Sequence, residues 1–318
     1  MPRSGSRRQT GSAMPDDAIS VADLKKTFGM CRAVDGVSFS VRRGEVFGLV
    51  GPDGAGKTTT LRMLAGVLYP SSGSITVLGQ NAVTDPESIK PLVGYMPQTF
   101  GLYGSLTVME NLNFYADLYG VPPGVRPERI HRLLSFSRLE PFTNRLAQNL
   151  SGGMKQKLAL AATLISQPEL ILLDEPTTGV DPVSRRDFWA ILYNLNVEGM
   201  TILVSTPYMD EADRCSRLGF MFNGKVIALD TPERIRGLMH GEILELVTPH
   251  ERRARKLLVD MPGVINVGIF GDRVHVVVQN ARAMTGPILE RLAPEGVQVE
   301  QIRQIPPGLE DVFISLIR

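Results

Sequence analysis

Cysteine is scarce in this 318-residue chain: Cys31 and Cys215 stand alone and far apart. Two thiols so placed build neither a disulfide framework nor a zinc site, and they suit a reducing compartment. Net charge is nearly absent as well. At +1, from 34 basic and 33 acidic residues, the chain has no general attraction to nucleic acid or acidic lipid, and no nucleic-acid partner is expected. Long apolar runs are also missing. Leu158–Ile165 and Leu170–Leu173 have the size of a buried helix and a buried strand, well short of the ~18 residues a membrane-spanning helix needs. Residues 1–17, MPRSGSRRQTGSAMPDD, carry arginines without an apolar core behind them, so they read as a flexible tail rather than a secretory signal. What remains is ordinary globular composition, long enough for two domains.

The first domain is expected over residues 18–240. Ile19–Phe28 and Ala33–Val41 alternate apolar and polar residues, which predicts half-buried antiparallel strands. Glu45–Val50 (EVFGLV) is nearly all apolar, as in a strand covered on both faces, and it runs through glycines into a helix predicted over Thr58–Leu68. Between about 100 and 160, ENLNFYADLYG and PERIHRLLSFSRL show helical spacing interrupted by Pro122 and Pro123, predicting a helical insertion. Leu170–Leu173 and Thr201–Ser205 return as buried strands of a parallel sheet.

Residues 241–318 have their own rhythm. A strand over Glu242–Val247 is followed by a helix over Glu251–Met261. A hairpin of Val264–Phe270 and Arg273–Gln279 then turns at Gly271-Asp272. Next come a helix carrying Met284, Ile288 and Leu292, a strand over Val297–Ile305 and a closing helix over Leu309–Ile317. The order β-α-β-β-α-β is that of an α+β, ferredoxin-like module. It holds no catalytic constellation and reads as a packing or dimerisation unit.

Gly51-Pro52-Asp53-Gly54-Ala55-Gly56-Lys57-Thr58 fits G-x-x-x-x-G-K-[ST]. Glycines let successive backbone N–H groups turn onto phosphate oxygens, and the following helix adds its positive end. Lys57 supplies a mobile charge for the β- and γ-phosphates, the Thr58 hydroxyl can ligate Mg²⁺, and Thr59 completes the nucleotide-binding set. About 120 residues on, an apolar strand ends in Asp174-Glu175. The first carboxylate is expected to hold Mg²⁺ through its water shell, and the second to orient or deprotonate the attacking water. The two motifs together predict a P-loop NTPase of α/β class.

Leu150-Ser151-Gly152-Gly153-Met154-Lys155-Gln156 adds a second helix N-terminus preceded by small residues, a second anion site. LSGGMKQ resembles the signature sequence of ABC ATPases, which stands directly upstream of their Walker B strand, as it does here of the strand ending in Asp174-Glu175. The resemblance covers about residues 18–240. It implies an ABC ATPase domain with a helical insertion and an antiparallel β subdomain, and a catalytic cycle on ATP with Mg²⁺. It further implies that Ser151, Gly152 and Gly153 bind the γ-phosphate held by the opposite subunit. Gln98 matches the family's Q-loop, near metal and water, and Gly179-Val180-Asp181 its D-loop. Phe28 falls where the family stacks a ring on adenine; a core phenylalanine is the other reading.

LYGSLTVMENLNFYADLYG, STPYMDEADRC and PPGLEDVFISLI resemble the ATPases of daunorubicin-type drug-efflux exporters. This implies a separate integral-membrane permease, energised from the cytoplasmic face of the cell membrane, and export of a drug, antibiotic or lipophilic solute. The resemblance further implies that two ATPases pair head to tail, as a homodimer or a heterodimer. The segment from Gln98 to about Tyr119 would receive a short permease helix; its aromatics Phe100, Tyr103, Phe114 and Tyr115 read equally as core.

One position departs from the pattern. Pro207 stands where the family places a histidine on the γ-phosphate, and proline brings neither imidazole nor N–H. Slow hydrolysis, a partner ATPase with a complete site, or phosphate contacts without histidine all accommodate it. The rival class is a non-transport ABC ATPase acting on ribosomes or DNA. Such members resemble two fused units or carry a long coiled coil, whereas this chain has one unit and no heptad array.

Overall fold

The computed structural model describes residues 17–99 and 101–317. The tail expected over 1–17 lies outside them except for Asp17, which opens a strand; Phe100 also lies outside. The chain divides into two compact units, up to Leu229 and from Asp230 onward.

In the first unit the elements run β1 (Asp17–Phe28), β2 (Cys31–Arg42), β3 (Val46–Val50), α1 (Lys57–Leu64), β4 (Ser72–Val77), β5 (Gln80–Asn81) and β6 (Val93–Met96). The helical insertion supplies α2 (Val108–Leu118), α3 (Arg126–Ser137) and α4 (Gly152–Leu164). Then follow β7 (Leu170–Asp174), α5 (Pro182–Val197), β8 (Thr201–Thr206), α6 (Met209–Ala212), β9 (Arg217–Phe222) and β10 (Lys225–Asp230). Among the described residues, one sheet runs β2-β1-β4-β5, antiparallel throughout, and the other β10-β9-β3-β8-β7-β6. In the second sheet β3 pairs in parallel with both β8 and β9, and β7 with both β8 and β6.

The near-continuous apolar runs follow from that sheet being covered on both faces. Successive side chains of a strand point to opposite sides. Leu170 and Leu172 of β7 therefore join the core that contains β1, β4 and α1, while Ile171 and Leu173 join the core of the helical side. β3 and β8 divide likewise, with Phe47, Leu49 and Leu203 on the first side and Val46, Ile202 and Val204 on the second.

α1 ends at Leu64, four residues before the expected Leu68. Gly66 takes φ +67°, and the N–H groups of Val67 and Leu68 fold back onto the Arg62 carbonyl, which closes the helix. Thr107 and Glu110 cap α2 reciprocally, and Pro182 opens α5 behind the capping carboxylate of Asp181.

The second unit contains α7 (Pro232–Arg236), β11 (Glu242–Val247), α8 (Glu251–Leu258), β12 (Val264–Phe270), β13 (Arg273–Val278), α9 (Ala281–Leu292), β14 (Gln301–Ile305) and α10 (Leu309–Leu316). Its antiparallel sheet runs β12-β13-β11-β14, the ferredoxin-like arrangement expected from the element order. Leu244, Leu246, Val274 and Val276 pack under Ala254 and Leu258 of α8 and Ile288 and Leu292 of α9. β14 begins four residues later than expected, because the Val297 N–H caps the preceding helical turn at Leu292 and does not join the ladder. The unit boundary falls at 229/230, ahead of the expected 240, because α7 packs against α10.

Candidate active site

β3 delivers the chain into the loop Gly51–Gly56, and α1 carries it away. Two of the glycines have no substitute. A Cβ on Gly51 would lie 2.1 Å from the Met221 carbonyl oxygen; Gly56, at φ +105°, would place one 2.4 Å from that of Ala33. The loop borders a cleft of about 730 Å³ that is lined by Asp53, Gly54, Gly56, Lys57, Thr58 and Thr59, and also by Phe28, Gln98 and Glu175. Gly51 and Pro52 do not line it, but their carbonyls accept from Lys57 Nζ at 2.8 and 3.0 Å. Ala55 is buried and its carbonyl accepts from the Gly224 N–H at 3.0 Å.

The carboxylate pair sits across the loop. Asp174 Oδ1 accepts from Thr58 Oγ1 at 3.0 Å, so both oxygens expected at a divalent cation are adjacent. Glu175 follows at the strand end with φ +49°, a left-handed backbone unusual for a residue with a side chain. Its N–H is received by Ser205, at 3.1 Å from both the carbonyl oxygen and Oγ. Its Oε1 stands 3.1 Å from Lys57 Nζ, while Oε2 accepts from Gln98 Nε2 at 3.1 Å and Thr178 Oγ1 at 3.3 Å. Lys57 and Glu175 are 3% and 7% exposed, which leaves their charges little solvent screening.

Phe28 is 49% exposed at the rim, and Lys26 Nζ lies 5.1 Å from its ring centroid, so it is not a core residue. The helical insertion places the signature elsewhere: Ser151, Gly152 and Gly153 do not line this cleft. Ser151 is exposed and caps α4 by accepting from the Met154 N–H at 3.3 Å. Gly153 packs so closely on α5 that a Cβ would meet that of Ser184 at 2.4 Å. A smaller hollow of about 360 Å³ shares Gln98 with the larger cleft and is otherwise lined by Leu102, Gly104, Gln148 and Gln156 among others. Tyr103 and Phe114 meet edge to face at 4.6 Å near this segment, and Tyr115 is buried with its hydroxyl on the Gly101 carbonyl at 2.7 Å.

Several residues of the site carry no motif. Ser205 donates to Asp174 Oδ1 at 2.7 Å as well as receiving the Glu175 N–H, and so fixes both acidic residues. The register was the signal: Asp174 pairs with Ser205 across the parallel β7–β8 ladder. Tyr95 approaches Asp174 Oδ2 at 3.5 Å; burial, reinforced by that carboxylate, pushes its phenol up. Arg32 and Asn223 also line the cleft. Pro207 directly follows β8, and among the described residues no histidine lines the cleft.

A family model described as ABC transporter matches residues 34–178. Another, described as ATP-binding protein DrrA1-3-like, C-terminal domain, matches residues 231–317. The Nod factor export ATP-binding protein I of Ralstonia nicotianae is 36% identical over 300 residues, 94% of this chain and 93% of that protein. The chain belongs to the ABC transporter ATP-binding proteins. It is also 45% identical over 309 residues to the probable multidrug ABC transporter ATP-binding protein YbhF of Escherichia coli, covering 96% of this chain and 53% of that one. The chain thus spans about half the length of YbhF.

Solved ABC cassettes share the fold. The ATP-binding subunit of an ABC transporter superposes with a TM-score of 0.62 at 32% identity, over 69% of this chain and 92% of that one. A dimeric ATP-binding cassette in a post-hydrolysis state with ADP and Pi gives 0.61 at 26% identity, over 67% and 98%. The matches confirm the expected ABC ATPase fold, with its inserted helices and antiparallel β layer.

Proposed function

We propose that this chain binds Mg·ATP in the cleft at Lys57 and hydrolyses it, with Glu175 as the base, to drive a separate integral-membrane permease. The observation that carries this reading is the buried Glu175 carboxylate, oriented by Gln98 and Thr178 beside the one lysine of the phosphate loop. Phosphate arriving at the loop competes with Glu175 for the Lys57 ammonium. Once Lys57 turns to the β- and γ-phosphates, Glu175 is released to accept a proton from water, while Ser205 keeps its backbone in place. Loop N–H groups and the α1 N-terminus cradle the phosphates, and Phe28 offers a face to the base.

The donor set suits Mg²⁺, which takes few protein oxygens and completes its shell with water and phosphate. Thr58, Asp174 and Gln98 would hold it, and when bound it neutralises charge on the β- and γ-phosphates.

Because Ser151 and Gly153 stand outside the cleft, a second cassette supplies them head to tail, whether an identical copy or a different ATPase. ATP then joins the pair and hydrolysis parts it, a population shift governed by the γ-phosphate. In this reading the hollow that shares Gln98 receives a short helix of the permease, and the protein works at the cytoplasmic face of the membrane. No helix among the described residues is long and apolar enough to cross a membrane. The relatives are named for multidrug transport and for Nod factor export, which supports export as the direction; the cargo proposed here is a drug, antibiotic or lipophilic solute. Pro207 favours slow turnover, since losing one preorganised donor costs about 10²–10³ in rate.

Affinity purification of the tagged chain from detergent-solubilised membranes tests the coupling. An integral-membrane polypeptide that co-purifies and changes the ATPase rate supports it; association with ribosomes or DNA instead would overturn it.

A further inference from the structure

Glu211 is fully buried, yet it does not line the nucleotide cleft. A carboxylate removed from water is costly unless its oxygens are satisfied. Here Oε2 accepts from Thr206 Oγ1 at 2.6 Å, Oε1 accepts from Thr177 Oγ1, and Arg185 Nε of α5 stands 3.6 Å from Oε1. The two threonines belong to the segments that hold Glu175. Thr177 lies two residues after it, inside the turn closed by Thr178 N–H to the Glu175 carbonyl and Val180 N–H to the Thr177 carbonyl. Thr206 directly follows Ser205, whose carbonyl and hydroxyl both receive the Glu175 N–H.

Glu211 therefore clamps the turn after Glu175 to the end of the strand before Pro207. The clamp matters because Glu175 holds a left-handed backbone at φ +49°, which persists only where surrounding contacts enforce it. Arg185 fastens the same segment from α5. Its guanidinium lies 3.6 Å from Asp210 and 4.3 Å from the Tyr208 ring centroid, both within the stretch that follows Pro207.

We propose that Glu211 is a positioning residue for ATP hydrolysis, locking the Glu175 turn to the β8 end in a site where no imidazole does so. The proposal rests on the ATPase reading above. A core ion pair of purely structural value would set the amount of folded protein and leave the turnover of each folded molecule unchanged.

The test is steady-state phosphate release by the full chain across an ATP series, with rates expressed per Mg·ATP-binding site. Glu211→Ala is expected to lower kcat about 10²-fold, the scale of a roughly 1 Å misplacement, with KM changed less than about threefold. Glu211→Gln, which can still bridge both hydroxyls, is expected to recover most of that loss. Thr177→Val keeps the side-chain shape and removes only the bond to Glu211; it decides the matter if Glu211→Ala does not fold, with kcat expected to fall about tenfold. Parental kcat in folded Glu211→Ala or in folded Thr177→Val would overturn the proposal. Equal rates for the parent and Glu175→Gln would instead overturn the ATPase reading itself, so the two failures are distinct.

Discussion

Lys57 Nζ lies 3.1 Å from Glu175 Oε1, with both side chains almost wholly withdrawn from solvent. The two groups face each other as an ion pair. Removing one partner of such a buried pair leaves an uncompensated ion and typically costs about 3–5 kcal/mol. Lys57→Ala is therefore expected to lower both stability, read from the denaturant midpoint, and Mg·ATP affinity, read by equilibrium binding. Glu175→Gln is expected to leave Mg·ATP bound at least as tightly as in the parent, because the competing carboxylate charge is gone.

Ser205 bridges the two acidic residues from within the core, donating at 2.7 Å to Asp174 and receiving the Glu175 N–H. Ser205→Ala removes a hydrogen bond to the buried Asp174 carboxylate, leaving Oδ1 with Thr58 Oγ1, and leaves the Glu175 N–H with the Ser205 carbonyl alone. An expected loss of about 1–3 kcal/mol in denaturant unfolding follows, accompanied by weaker Mg²⁺ dependence of ATP binding.

Signature and phosphate loop separate cleanly in a test of assembly. With Glu175→Gln as background, Mg·ATP is expected to drive association, measured by sedimentation or size-exclusion chromatography. Ser151→Arg should abolish that association while each chain still binds Mg·ATP, because Ser151 stands exposed outside its own cleft. Loss of nucleotide binding in Ser151→Arg would contradict completion by a second subunit.

In the second unit Glu245 opposes two arginines, Arg273 at 2.9 Å and Arg303 at 2.7 Å. Burial disfavours its charge, but hydrogen bonds to both guanidiniums outweigh that and hold the carboxyl below the usual carboxylate range. A depressed carboxyl stabilises the fold above its unfolded pKa, and that contribution disappears as pH falls through the folded value. Hydrogen exchange at β11 and β13 is expected to accelerate on acidification, with Glu245→Gln already fast at neutral pH and less pH-dependent.

How much of this was legible beforehand varied with the kind of signal. Period and punctuation located the strands around the phosphate loop, the inserted helices and the ferredoxin-like order, because core-facing positions and Gly or Pro breaks are local properties. Helix and strand ends moved where a carbonyl found a partner that spacing does not reveal, as at Arg62 and Leu292. Motifs named Lys57, Asp174 and Glu175. Ser205, Thr178 and Glu211 were invisible because hydroxyls and a single carboxylate acquire meaning only from strand register and turn geometry. Phe28 was ambiguous in sequence, and its exposure removed the core alternative.

The most direct test of the account is phosphate release from Mg·ATP by the purified full chain, compared with Glu175→Gln and Pro207→His. The account predicts slow release by the parent, a loss of at least about 10²-fold in Glu175→Gln, and an increase of about tenfold or more in Pro207→His. A Glu175→Gln variant that releases phosphate as fast as the parent would contradict it.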